Sequence, residues 1–194
     1  MMSSMQPITA ILSWVWKQYR LPHVRTDEGF SISFTMQTQE MDLWCWAAAA
    51  SSVAFYFDPE GYRLQKEIVA ATHGFDLDLE PDSDWDVEGP LSEALAFVGC
   101  FSTSESKPIG FRQALRELEL GRPIIGHIDW GGGQGHAIAI SGCRIDSAGG
   151  RYLTVKDPAV GSHIWAREQP MEWVLDDYCD MDGKWVASYF VKAP

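Results

Sequence analysis

A thiol, an imidazole, a carboxylate and a side-chain amide occur at Cys45, His136, Asp157 and Gln39, each where local structure would aim it. Cys45 lies in Gln39-Glu40-Met41-Asp42-Leu43-Trp44-Cys45-Trp46, which runs straight into Ala47 to Ala50 and Ser51-Ser52-Val53-Ala54-Phe55-Tyr56-Phe57. Four consecutive alanines have the best helix propensity, and no proline or glycine follows until Pro59, so this second part is predicted helical. The polar and acidic first part cannot continue an apolar helix face, which sets Cys45 at or near the helix N-terminus. Unpaired N–H groups and the macrodipole favour an anion there, and a thiol is nucleophilic as its anion. Gln39 precedes Cys45 by six residues, a spacing that lets its amide fold back beside the sulfur.

The second stretch that could do chemistry is Gly131-Gly132-Gly133-Gln134-Gly135-His136-Ala137-Ile138-Ala139-Ile140-Ser141-Gly142. Its glycines let the backbone approach a ligand closely, but no lysine-serine/threonine pair and helix follow, so it is not a phosphate loop. His136 opens a strand over 137–145, Asp146-Ser147-Ala148-Gly149-Gly150 is a turn, and Arg151 to Lys156 is the return strand, ended by Asp157-Pro158. Positions equidistant from a hairpin turn face each other. His136 and Asp157 are therefore expected to be cross-strand neighbours, with the carboxylate holding one imidazole nitrogen.

Gln-x5-Cys-Trp-Ala at the start of a buried helix resembles the papain-like cysteine peptidases. The Trp-Cys-Trp-Ala-Ala form is similar to the bacterial branch that includes avirulence-effector proteases, with bacteriocin-leader peptidases as more distant cousins. The family's order of cysteine, histidine, then an amide or carboxylate orienter is matched by Cys45, His136 and Asp157, although papain itself uses asparagine as the orienter. The resemblance implies an α+β papain-like fold: a helical lobe with the nucleophile at a helix N-terminus, packed on an antiparallel sheet lobe, with the cleft between them. It extends over about residues 31–192 and takes in the closing Gly183-Lys184-Trp185. Residues 1–30 would be an N-terminal extension or packing segment, and 31–194 the peptidase domain.

The resemblance also implies roles. Cys45 attacks a carbonyl carbon, His136 keeps it ionised and later protonates the leaving amine, and Asp157 fixes the imidazole. The Gln39 amide and the Cys45 N–H would stabilise the oxyanion. A papain-type thiol ionises near pKa 3–4 against about 8.5 for a free one, a gap on the order of 6 kcal/mol. A helix dipole supplies at most about 2 kcal/mol, so the histidine matters more than the helix. The expected reaction is hydrolysis of a peptide or isopeptide bond in a protein, without a cofactor or metal. The same device serves transglutaminases, deamidases and acyltransferases, since all pass through a thioester. An inert papain-like binding module is the reading from another class.

Taken singly, a cysteine in an apolar helix is a core residue, and His136 alone says little. The conjunction of four residue types in one order reverses that. Trp44, Trp46, Trp130, Gly133 and Gly135 are the candidates to line a substrate cleft, although the tryptophans could equally fill the core. Gln37 is the runner-up to Gln39, and His127, on a core strand, is the runner-up base. Cys143 lies seven residues after His136 and, on a regular strand, points to the opposite face. His163 is assigned to a following strand, and His23 and His73 to the surface.

Composition bounds the rest. At 194 residues, 46% apolar and 22% charged, the chain is an ordinary globular domain with enough length for a real core. A net charge of −12 argues against nucleic acid and anionic membrane surfaces and is compatible with a basic polypeptide substrate. Cys45, Cys100, Cys143 and Cys179 have no zinc-knuckle or redox spacing, so one reactive and three structural thiols are expected. The apolar run 8–16 precedes its basic residues and is too short to span a bilayer, which is wrong for a secretory signal or anchor. The expected location is cytoplasmic, or outside the cell by a route without a cleavable signal peptide. Acidic residues recur at every second position from Asp76 to Glu88, but Pro81 and Val87 stand where a calcium loop wants glycine and glutamate, so a solvated acidic loop is expected. A strand is expected over 30–36 and 124–130, and helices over 64–72, 90–98, 112–120 and about 171–178, before a last strand over 184–192.

Overall fold

In the computed structural model, which describes residues 24–26, 29–159 and 167–194, the chain order is β1 (Val24–Thr26), β2 (Gly29–Ser31), α1 (Cys45–Phe57), α2 (Gln65–His73), a 3₁₀ turn (Ser83–Trp85), α3 (Leu91–Phe97), β3 (Phe101–Glu105), α4 (Phe111–Glu119), β4 (Ile124–Asp129), β5 (Gly135–Ile145), β6 (Arg151–Lys156), β7 (Arg167–Pro170), α5 (Met171–Asp176) and β8 (Lys184–Val191). The α+β class expected from the sequence is borne out, with the helix that begins at Cys45 preceding most of the sheet.

All the strand pairs are antiparallel. The order β1-β2-β5-β4-β8-β3 is completed by β6, which pairs with β5 and carries β7. β5 is the spine: it pairs with β4 along 135–140, with β2 along 142–144, and with β6 on its other edge. A strand with neighbours on both edges and both faces covered reads as a near-continuous apolar run, as Ala137-Ile138-Ala139-Ile140 does. The α1 helix packs on β5, α2 and α3, and residues 45–54 are all buried. Alanine is used because the neighbours come close: Ala47 to Ala50 have no exposed surface, and added methylenes would overpack the contact.

Most expected elements lie within a residue or two of their predicted bounds. Three differ. The strand expected over 30–36 stops at Ser31, after which Ile32 N–H donates to Ser141 O and the chain leaves the sheet to meet α1, where Gln37 N–H donates to Ser52 Oγ. Strand β3 (Phe-Ser-Thr-Ser-Glu) carries no clear alternation and is not expected from the sequence, and β7 (Arg-Glu-Gln-Pro) lies after the position of His163, where a strand following Asp157 is expected. Strand β1 and the first two residues of β2 lie within the segment assigned to the N-terminal extension, so the sheet begins inside that segment. The run 8–16 and His23 and His163 lie outside the described residues.

The β5–β6 register has the largest consequence. The turn closes on Ile145 paired with Arg151, and near the turn Cys143 pairs with Leu153. Beyond a bulge at Ser141 the pairs become Ile140 with Val155 and Ala139 with Lys156. Continuing that register places Asp157 opposite Ile138 rather than opposite His136. The expected direct pairing is therefore off by two positions, and side chains two apart share a face. Without the bulge, Asp157 would stand opposite Ala139 and point away from His136; a one-residue slip moves a whole strand's side chains to the other face. The same bulge corrects the assignment of Cys143. Its partner Leu153 shares a face with Val155, the partner of Ile140, so Cys143 lies on the His136 face but far along the strand from it.

Candidate active site

Cys45 is the first residue of α1. Its predecessor Trp44 supplies no side-chain cap, and the first backbone bond into the helix runs from Ala48 N–H to Trp44 O, so the N–H groups of the first turn are those a helix leaves without internal partners. The entrance is clamped from a distance. Trp44 Nε1 donates to Trp85 O at 2.7 Å, Trp46 Nε1 to Val87 O at 3.1 Å, and Leu43 N–H to Asp86 Oδ1 at 2.7 Å. The indoles on either side of Cys45 are thus held by one short segment, 85–87. Part of the acidic stretch is structural: Asp82 caps the 3₁₀ turn and Asp86 holds Leu43. No group of three metal-ligating side chains occurs among the described residues.

His136 Nε2 lies 2.9 Å from Asp157 Oδ1, and Cys45 is the ring's other electrostatic partner. With Nε2 engaged by the carboxylate, Nδ1 is the nitrogen left for the sulfur. Burial works against a charged imidazole, but the Asp157 hydrogen bond and the neighbouring Cys45 outweigh it and raise His136 to about 10. Asp157 is itself buried, which would raise its carboxyl; the His136, Tyr178 and Ala159 donors reverse this and hold it below the usual range. The pair therefore carries opposite charges at neutral pH. Burial pushes the thiols of Cys100 and Cys143 up to about 11 and that of Cys179 up to about 12.

These contacts bring together one residue from the first helix and two from the sheet hairpin. An open cavity of about 340 Å³, within the range of ligand sites, is bounded by Cys45, Trp46, Gly89, His127, Gly133, Gly135 and His136, with Glu88 and Asp129 on its wall. A family model described as papain-like cysteine protease AvrRpt2 matches residues 26–173. The chain belongs to this family. No curated protein matches it. As a papain-like cysteine protease it acts on protein or peptide substrates, and no helix among the described residues is long and apolar enough to cross a membrane.

The protease's remaining candidates fall on either side of the cavity wall. Trp46 lines the cavity, with Gly89 against its ring; a Cβ on Gly89 would come within 2.5 Å of the indole. Gly133 and Gly135 also line it. Gly131, Gly132 and Gly133 all have positive φ, a turn that side-chain-bearing residues would resist, and Gly135 leaves room for the His127 ring. Trp44 is a correction: it is 1% exposed, packed in the core and absent from the cavity lining. Trp130 stands behind the histidine, its ring centroid 6.2 Å from His136, and does not line the cavity either.

Gln39 is 8% exposed and lies before the nucleophile, but its amide is turned inward. Nε2 donates to Met41 O at 2.9 Å and Asp42 O at 2.5 Å, which uses both hydrogens. Flipping the amide would aim Oε1 at two carbonyl oxygens, so this assignment stands, and Oε1 is buried without a partner among the described residues. Gln39 N–H donates to Pro158 O at 2.8 Å, stapling the nucleophile's approach to the residue after Asp157. Gln37 is committed elsewhere, accepting from Ser51 Oγ.

Two residues were underestimated from the sequence. His127, expected to be structural, borders the cavity; burial lowers its imidazole, with Asp129 and Glu88 only partly offsetting this, so it stays uncharged at neutral pH. From the sequence, Tyr178 is only the last residue of the helix expected over about 171–178, yet its hydroxyl donates to Asp157 Oδ2 at 2.6 Å. No spacing rule links residues 157 and 178, because strand β7 and helix α5 lie between them.

Proposed function

We propose that the protease hydrolyses peptide bonds through Cys45, His136 and Asp157, by way of a thioester on Cys45. The observation that carries this reading is the 2.9 Å hydrogen bond between His136 and Asp157, with Cys45 acting on the same imidazole and both Cys45 and His136 on the wall of an open cavity. The imidazolium holds the thiolate, the thiolate attacks the carbonyl carbon, and the Nδ1 proton passes to the leaving amine. Asp157 keeps Nε2–H pointed at itself, which fixes the ring. Water then attacks the thioester with His136 as base and frees Cys45. The backbone N–H of Cys45 is the donor best placed for the oxyanion; Gln39 joins it only when one amide hydrogen leaves Met41 O or Asp42 O. The cavity wall carries Glu88 and Asp129 and, among the described residues, no lysine or arginine, which favours substrates with cationic side chains near the scissile bond.

The deciding experiment is the pH dependence of Cys45 alkylation by iodoacetamide in wild type and His136→Ala. Fast labelling of Cys45 well below neutral pH, lost in the variant, is expected, with Cys100, Cys143 and Cys179 silent at the same pH. Equal, slow labelling of Cys45 in both proteins, rising only near the pKa of a free thiol, would leave the cavity as a binding site alone. The mass of a treated protein substrate then separates cleavage from deamidation or acyl transfer, which leave the chain whole.

A further inference from the structure

Asp157 is 7% exposed and its two oxygens have different neighbours. Oδ1 faces His136 Nε2 and also accepts Ala159 N–H at 2.8 Å. Oδ2 accepts the Tyr178 hydroxyl at 2.6 Å, a short charge-assisted bond, and Tyr178 has no exposed surface. A carboxylate bound on one oxygen alone can swing about its Cβ–Cγ bond; one bound on both cannot.

The fold goes to some length to put this phenol there. Tyr178 N–H donates to Gly183 O at 2.9 Å in an isolated bridge, and the four residues between make a tight return. Three of them, Cys179, Asp180 and Asp182, have φ of 63°, 55° and 56°, left-handed backbone that side-chain-bearing residues seldom adopt. Trp173 Nε1 donates to Asp180 Oδ1 at 3.0 Å and pins the return. The phenol ring packs between Trp130 and Trp173, at centroid distances of 5.9 and 5.3 Å, and Gly183 leaves the space that the Trp130 ring fills. Strained backbone persists only where surroundings fix it, and here they fix an inward-pointing hydroxyl.

We propose that Tyr178 is a positioning residue for the reaction: its hydroxyl locks the Asp157 carboxylate so that Oδ1 holds His136 in register with Cys45. This rests on the Cys45–His136–Asp157 reading above. Tyr178 lies beyond the 26–173 stretch that the family match covers. The phenol is also suited to remain a donor, because burial and the Asp157 charge push its ionisation well above the ordinary range, so it never competes for the imidazole proton. Its bond favours the charged form of Asp157, and losing it makes that carboxylate easier to protonate.

The test is iodoacetamide labelling of Cys45 across pH in Tyr178→Phe, which keeps the ring and removes one oxygen. The expected result is a rate about tenfold lower near pH 6, with the acid limb of the profile moved to higher pH. A structural role alone would lower the urea midpoint without moving that limb. The same change made in an Asp157→Asn background should add little, since the hydroxyl acts through the carboxylate; an equal loss in both backgrounds would overturn the proposal. If Tyr178→Phe folds poorly, it is measured with Asp182→Gly, which relieves left-handed strain away from the cavity. His136→Ala separates the two readings. A wild-type profile in His136→Ala removes the triad itself, whereas a lost profile there with a wild-type profile in Tyr178→Phe keeps the triad and rejects Tyr178.

Discussion

The two halves of the site are held in place by different physics. Around Cys45 the structure relies on packing: ten successive buried residues of α1, four alanines with no exposed surface, and two indoles whose only polar atoms are bonded to the backbone of 85–87. Around His136 it relies on direction: a bulged strand, a buried carboxylate with three donors, and a phenol behind it. The difference follows from what each half must do. A nucleophile at a helix N-terminus has only to be kept still, and close packing does that. A base has to hold a proton on a chosen nitrogen and face a chosen atom, and only hydrogen bonds specify that. Errors in the first half should therefore appear as lost stability, and errors in the second as lost rate.

The sharpest way to break this contrast is Asp157→Asn. The side chain keeps its shape: its oxygen can still face His136 and accept from Ala159, and its new NH2 group can donate to the Tyr178 hydroxyl, but it carries no charge to hold an imidazolium. Turnover should fall by about 10²-fold or more, in line with the usual contribution of a positioned acid–base group, while the urea midpoint moves little. Cleavage of a protein substrate, followed by mass, measures the first, and fluorescence of the tryptophans the second. A variant that keeps more than a tenth of wild-type turnover would mean the carboxylate is structural and the two halves are alike.

A smaller effect sharpens it from the other side. Trp44→Phe and Trp46→Phe each remove one indole N–H and leave a carbonyl of the 85–87 segment without its donor, at a cost of about 1–3 kcal/mol where the site stays dry. Both should lower the urea midpoint. Only Trp46 lines the cavity, so only Trp46→Phe should also change KM. If Trp44→Phe changes KM as much, the clamp on 85–87 sets the shape of the cavity, and packing then tunes the chemistry directly.

The packing half was the more legible in the sequence. The alanine run, the first glycine or proline after it and the polar lead-in place Cys45 at a helix start from local information alone, and the helix begins at that residue. The glycine run and the Asp-Ser-Ala-Gly-Gly turn likewise placed the β5–β6 hairpin. What escaped was set by contacts distant in sequence. The bulge lies at Ser141, whose carbonyl accepts Ile32 N–H from just beyond β2, a contact that nothing near residue 141 announces. The His136–Asp157 contact was expected for a register two positions off, and it forms because turn and bulge together shift the strand by an even number. Trp44 and Trp46 look identical in the motif and differ only in what stands opposite. Gln39 had the right position, but the direction of its amide depends on the carbonyls of Met41 and Asp42. Tyr178 reaches Asp157 across a strand and a helix, with no periodicity to connect them.

The last effect is on stability against pH, where the cost of burying two opposite charges offsets part of what their attraction returns. Comparing wild type with His136→Ala/Asp157→Asn isolates the pair. The folded-state value of His136 is raised from 6.5 to about 10, so its contribution is fully present below pH 6.5 and is lost as pH rises through about 10. The folded-state value of Asp157 is lowered from 3.8, so its contribution is present above pH 3.8 and is lost as pH falls through the lower folded value. The stability of wild type relative to the double variant should thus be flat between about pH 4 and 6.5 and decline toward pH 10, as read from urea midpoints at each pH. A relative stability that rises up to about pH 6.5 and then shows no decline between pH 7 and 10 would mean that His136 is neutral in the folded protein. The sheet half would then be held, like the helix half, without an ion pair, and the contrast between them would reduce to hydrogen-bond geometry.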